Sequence, residues 1–144
     1  KEAAAAGKLA TTGELARLVE KEASGRKLSV HPATLVFQAL RIAVNDELGA
    51  LADALRDAPE VLAPHGRLVV MSYHSLEDRM VKHTFLEGER GPERPAKLPP
   101  PSDWKPTWKV VTRQALTASD AEIAVNPRAR SARVRAAASM RGAA

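Results

Sequence analysis

At 144 residues, with 44% hydrophobic but only 3% aromatic side chains, the chain is long enough for one domain, its core built mainly from Ala, Val, Leu and Ile. It has no cysteine, which excludes disulfides and thiolate metal sites, and no apolar run near the roughly 20 residues of a membrane span. The net charge is +5, and Trp104 to Ala144 hold eight basic residues against two acidic ones, so this tail carries +6 and the rest −1. A basic excess confined to one segment fits a polyanion partner, and a solvated charged face is the plainer alternative.

Nothing resembles a secretory signal, so a soluble cytoplasmic protein is expected. The four histidines (His31, His65, His74, His83) lack the close pairing of a metal motif, and no metal is expected. The first residue is lysine, which suggests a chain cut from, or shown without, its true start.

Residues 1 to 10 show no core pattern and read as a frayed end. Thr11-Thr12-Gly13-Glu14 has capping-box spacing, and Leu15, Leu18 and Val19 continue it as an amphipathic helix from about Gly13 to Ala23. Pro32 suits the first position of the longest helix. Phe37, Leu40, Val44, Leu48, Leu51 and Leu55 fall within about 60° of arc and predict one continuous buried stripe. Gln38, Arg41 and Asn45 run beside it, rotated by about 40 to 100°. Polar groups at such a rim are hydrogen-bonded to the next layer or turned toward a ligand, so Arg41 and Asn45 are candidate substrate contacts.

The organising stretch follows. Pro64-His65-Gly66 is a turn in which Gly66 should supply backbone freedom. Leu68 to Met71 is a continuous apolar run, predicting a strand covered on both faces. Ser75-Leu76-Glu77-Asp78 then has the spacing of a helix cap, with Ser75 as cap and Asp78 as its reciprocal partner. Ligands bind at the carboxyl ends of strands in open α/β sheets, which makes Ser72, Tyr73, His74 and Glu77 candidate active-site residues. His74 and Glu77 stand out because the expected cap needs neither.

The following helix should reach about Leu86. Gly88 to Pro106 holds six of the ten prolines and reads as a long extended loop. Trp108 to Thr112 reads as a strand, with Trp108 and Trp104 packed rather than stacking on bases. Ser119 (or Thr117) should cap a short helix to about Val125. Asn126-Pro127-Arg128-Ala129-Arg130-Ser131 is a charged turn, and the alternation Ala132-Arg133-Val134-Arg135-Ala136 predicts a half-exposed strand near a sheet edge.

His31-Pro32-Ala33-Thr34, Phe37 to Leu48 (FQALRIAVNDEL), Leu62-Ala63-Pro64, Gly66-Arg67-Leu68, Ser72, His74 to Arg79 (HSLEDR) and Asn126 to Ser131 (NPRARS) together closely resemble the bacterial 16S ribosomal RNA (cytosine-N4)-methyltransferase family, called MraW or RsmH. The match runs in order over about residues 11 to 141. It implies an α/β fold: the C-terminal part of a class I Rossmann-like methyltransferase sheet, plus helices from the inserted helical domain that recognises substrate. Residues 1–31 would end that helical domain, and 32–144 would belong to the methyltransferase domain, with the Pro-rich loop at 88–106. His65 stands where the family commonly has a second glycine, and Tyr73 where it commonly has phenylalanine.

The resemblance further implies S-adenosylmethionine as cofactor and 16S ribosomal RNA, or the small ribosomal subunit, as partner. The reaction methylates the exocyclic amine of a cytidine. It needs the donor carbon in line with the nitrogen, acceptors for the amine proton, and an exposed base. Ser72, Tyr73, His74 and Glu77 would line the rim of that site, Arg41 and Asn45 would face it, and Arg128, Arg130, Arg133 and Arg135 would hold RNA phosphates. No glycine-rich nucleotide loop occurs in the sequence, so the cofactor site is expected mostly in an absent N-terminal half and the chain alone is expected to be inactive. A sheet so shortened should leave apolar edges that self-association or partner chains cover. The competing readings are a non-catalytic RNA-binding or scaffold module and a small-molecule methyltransferase.

Overall fold

A computed structural model describes residues 9–24, 31–91, 99 and 101–141. The chain divides into two compact units, 1–47 and 48–144.

In the first unit, helix α1 spans Thr12–Glu22 and begins as the sequence predicts. Thr11 Oγ1 accepts from Glu14 N at 3.2 Å, and the Glu14 carboxylate accepts from Thr11 N at 2.9 Å. Helix α2, Pro32–Asn45, has proline in its first turn and is capped by His31, whose Nδ1 accepts from Ala33 N at 3.2 Å. The other ring nitrogen of His31 meets Glu20 at 2.6 Å, tying α2 to α1. The predicted frayed end lies almost wholly outside the described residues. The expected domain boundary lay at 31/32, whereas α2 here shares a unit with α1.

The long stripe is not continuous. Asp46 takes a left-handed conformation, φ 49°, which ends α2 and starts helix α3 at Glu47–Val61. Leu40 and Val44 are exposed, and Leu55 is the one stripe residue that is fully buried. Helix α3 runs past Pro59 before it ends.

In the second unit, strand β1 (Arg67–Ser72), helix α4 (Ser75–Arg90), strands β2 (Trp108–Val110) and β3 (Leu116–Thr117), helix α5 (Asp120–Val125), a 3-10 turn (Pro127–Ser131) and strand β4 (Arg133–Ser139) follow in order. The sheet is small and antiparallel. β4 is its middle strand, with β1 on one side and β2 and β3 pairing with successive parts of it on the other. This corrects the prediction for β4: its alternating pattern suggested an edge, yet it is flanked on both sides, and Arg135, Ala136, Ala137 and Ser139 are buried. Small alanines let neighbouring layers approach it closely.

Leu55 and Ala58 of α3 and Val81 and Phe85 of α4 pack with Trp108 and Ala137, joined by Leu68 and Val70 of β1. Phe85 and Trp108 meet with ring centroids 5.4 Å apart at 59°. Trp108 is thus packed, as expected. The core lies on one face of β1 only. Val69 and Met71, pointing the other way, are 61% and 55% exposed. Among the described residues β1 pairs with β4 alone, so its outer edge is open. The expectation of a strand covered on both faces is therefore not met in this chain. A continuous apolar run tells which side chains want cover, not what covers them.

The turn before β1 is also corrected. The left-handed residue is His65, φ 60°, where the resembling family commonly has glycine. Gly66 is needed for space: a Cβ there would lie 2.8 Å from the Ala63 carbonyl oxygen that its own N–H bonds. Helix α4 runs four residues beyond the predicted end, and most of the Pro-rich loop lies outside the described residues.

Candidate functional site

Ser72 is the last residue of β1 and lies opposite Arg133, the first residue of β4. That register brings the carboxyl end of β1, the start of α4 and the basic 3-10 turn to one end of the sheet. Two segments 50 or so residues apart, the corner Ser72 to Glu77 and the run Arg128 to Arg135, are joined there by strand pairing.

The corner is built differently from the cap predicted for it. The cap of α4 is His74, whose Nδ1 accepts from Glu77 N at 3.3 Å. The reciprocal carboxylate is Glu77, whose Oε2 accepts from Tyr73 N at 2.9 Å and His74 N at 3.2 Å. Ser75 is the first helical residue, and Asp78 faces the sheet. The distinction drawn for His74 and Glu77, that no cap required them, thus fails: histidine is an uncommon cap, and the sequence cue favoured serine one residue later. The second ring nitrogen, Nε2, is buried without a hydrogen bond among the described residues, 3.3 Å from Glu77 Oε1. Ser72 is buried and donates from Oγ to the Arg133 carbonyl at 3.4 Å. Of the four candidates Ser72, Tyr73, His74 and Glu77, Tyr73 is the exposed one, at 56%.

Of the four candidate phosphate ligands, Arg128 and Arg130 are exposed in the 3-10 turn and make no ion pair among the described residues. Arg133 is half-exposed. Arg135 is buried under α4, where Nε donates to Asp78 Oδ1 at 2.7 Å and Nη2 to Oδ2 at 3.1 Å. The sequence treated Arg135 as another surface cation; its contact with Asp78, formed only in the fold, ties its charge to structure. The Arg135 guanidinium in turn holds the Asp78 carboxyl below the ordinary aspartate range, against the upward push of burial.

Arg41 and Asn45 converge on Glu47 within the first unit. Arg41 Nε lies 2.8 Å and Asn45 Nδ2 3.3 Å from Glu47 Oε1. Both side chains therefore already have a protein partner across the helix break at Asp46. A cleft of about 410 Å³, lined by Pro59, Glu60, Lys105, Thr107, Met140 and Arg141 among others, opens at the opposite end of the sheet and not at the corner.

S-adenosylmethionine does not fit the described residues. A cofactor carboxylate would find no free donor at the Tyr73 and His74 N–H groups of the corner, because Glu77 occupies both. The glycines of the chain are scattered singly or nearly so, and none forms a nucleotide loop.

Comparison with known proteins decides the family. The sequence profile of the MraW methylase family matches residues 1–140. The chain belongs to that family. Similar proteins include the ribosomal RNA small subunit methyltransferase H of Maricaulis maris (strain MCS10), 51% identical over 142 residues, covering 94% of this chain and 41% of the relative. The protein of the same name from Dehalococcoides mccartyi (strain ATCC BAA-2266 / KCTC 15142 / 195) is 50% identical over 128 residues, covering 88% of this chain and 37% of its own length. That of Heliobacterium modesticaldum (strain ATCC 51547 / Ice1) is 50% identical over 136 residues, 92% and 44%. The chain therefore spans about two fifths of the curated relatives it matches. No described helix of this MraW-family chain is long and apolar enough to cross a membrane.

Proposed function

We propose that the protein to which this chain belongs methylates N4 of a cytidine in 16S ribosomal RNA with S-adenosylmethionine, in the cytoplasm and on the small ribosomal subunit or its RNA. The supporting observation is the roughly half identity to relatives named ribosomal RNA small subunit methyltransferase H along nearly the whole chain. In this reading the sheet β1-β4-β2 is the last part of a Rossmann-like methyltransferase sheet, and the open edge of β1 with exposed Val69 and Met71 is where the remainder joins or where copies associate. The first unit, 1–47, holds the end of the inserted helical domain, which the sequence places at 1–31. The cofactor site lies mostly in the remaining three fifths of the protein.

The corner supplies the rim of the site. Tyr73 is its accessible face, Ser72 pins the start of β4, and His74 and Glu77 set the start of α4 so that the rim keeps one shape. Arg128, Arg130 and Arg133 draw the RNA backbone to that end of the sheet. Arg41 and Asn45 exchange their contact with Glu47 for one with substrate.

The second reading, a non-catalytic RNA-binding or scaffold module, is favoured by one observation: the described residues offer no cofactor cradle. Titrating S-adenosylmethionine into the full-length product of the reading frame, and into the 144-residue chain alone, separates the two. Saturable binding by the full-length protein and none by the chain supports the methyltransferase. No binding by the full-length protein supports the module.

A further inference from the structure

Asp78, Arg135 and Arg133 form a cluster of one carboxylate and two guanidiniums, so it carries one positive charge in excess. Arg135 alone neutralises Asp78: the pair is bidentate, and its side chains are 10% and 8% exposed. Arg133 reaches the same Asp78 Oδ2 only at 3.5 Å, with its side chain 51% exposed. That contact orients the guanidinium without cancelling its charge. The backbone behind it is fixed by pairing with Ser72 and by the Ser72 hydroxyl on the Arg133 carbonyl. Among the described residues no other acidic side chain meets Arg133. An oriented guanidinium that shares one carboxylate with Arg135 leaves the cluster a net positive charge to offer an oxyanion from outside.

We propose that Arg133 is a fixed anchor for one phosphate of an RNA backbone, with Asp78, itself held by Arg135, as its positioning residue. This rests on the RNA substrate proposed above. It divides the basic end of the sheet into two kinds of cation. Arg128 and Arg130 sit in an exposed turn, make no ion pair among the described residues, and attract phosphate by charge alone. Arg133 presents a planar fork at a set angle, which a lysine at the same position cannot reproduce.

The test uses full-length protein and 16S ribosomal RNA, with affinity measured over a range of salt and methyl transfer measured alongside. Arg133→Lys keeps the charge, so the salt slope stays at the wild-type value while Kd and KM for RNA rise about ten-fold and kcat holds. Arg130→Lys changes Kd less than about two-fold. Arg133→Gln lowers the slope by about one. The double variant Asp78→Asn/Arg135→Met conserves net charge and replaces the pair by uncharged groups; it should weaken binding as Arg133→Lys does, with the slope unchanged. Its thermal midpoint establishes that it is folded, and Arg133→Lys stands if it is not. Equal effects of Arg133→Lys and Arg130→Lys would overturn the anchor while leaving the RNA reading intact. A wild-type protein whose affinity for RNA ignores salt would overturn both.

Discussion

Asp78 in the first turn of α4 and Arg135 in the middle of β4, 57 residues apart in sequence, close a bidentate ion pair beneath the helix. The pair fastens α4 to the sheet at the end where the candidate site lies. Removing one partner strands the other charge in the protein interior, which costs far more than a surface salt bridge gives.

Asp78→Asn should therefore destabilise the protein by about 3–5 kcal/mol, read from urea unfolding. The pH dependence has a definite sign. Arg135 lowers the Asp78 pKa in the folded state, so the stabilisation is fully present above the unfolded aspartate value of about 4. It is lost as pH falls from there through the folded value. Urea midpoints of the wild type should drop below about pH 4, and those of Asp78→Asn should drop less.

Gly88 sits in α4 directly under Trp108. A Cβ at that position would clash with the indole ring and lie 2.6 Å from Thr107 Oγ1. Gly88→Ala should cost about 1–3 kcal/mol by overpacking, despite alanine's better helix propensity, and should shift the tryptophan emission. A neutral or stabilising result would mean that the Phe85–Trp108 contact is looser than 5.4 Å between centroids implies.

His65 holds a left-handed conformation that side chains adopt at a cost. His65→Gly should remove that strain against a loss of chain stiffness, for a net gain of up to about 1 kcal/mol. Thermal unfolding of the two forms checks it, and a clear loss would show that the His65 ring has a contact of its own.

His74 is a helix cap before it is anything else. His74→Ala should cost about 0.5–2 kcal/mol, and His74→Asn, which keeps a capping acceptor, should recover most of it. Measured on the full-length protein, methyl transfer by His74→Asn should remain close to wild type. A large fall in kcat with stability retained would give the ring a chemical role beyond capping.

Local features were legible where the cue and its answer lie within a few residues. Thr11 and Glu14 announced α1 and Ser119 announced α5, each confirmed by its own hydrogen bonds, and Pro32 announced α2 by standing in its first turn. Long-range features were not. Arg133 and Arg135 read alike in an alternating strand, and only the arrival of Asp78 from another element separates a buried pair from an exposed cation. The same holds for β4, whose alternation suggested an edge because alanine counts weakly as a core residue. At the corner, serine was the stronger cap on statistical grounds, yet the chain turns one residue earlier and His74 takes the role. The family resemblance pointed to the corner as a region, and which side chain caps which backbone group there came only from geometry.

The most direct measurement is transfer of a labelled methyl group from S-adenosylmethionine to 16S ribosomal RNA by the full-length protein, followed by nucleoside analysis of the product. Label is expected in N4-methylcytidine at one site, with the KM for RNA raised by Arg133→Lys and by charge-removing substitutions at Arg128 and Arg130. Label in another nucleoside, or no label from an intact protein that binds the RNA, would contradict this expectation.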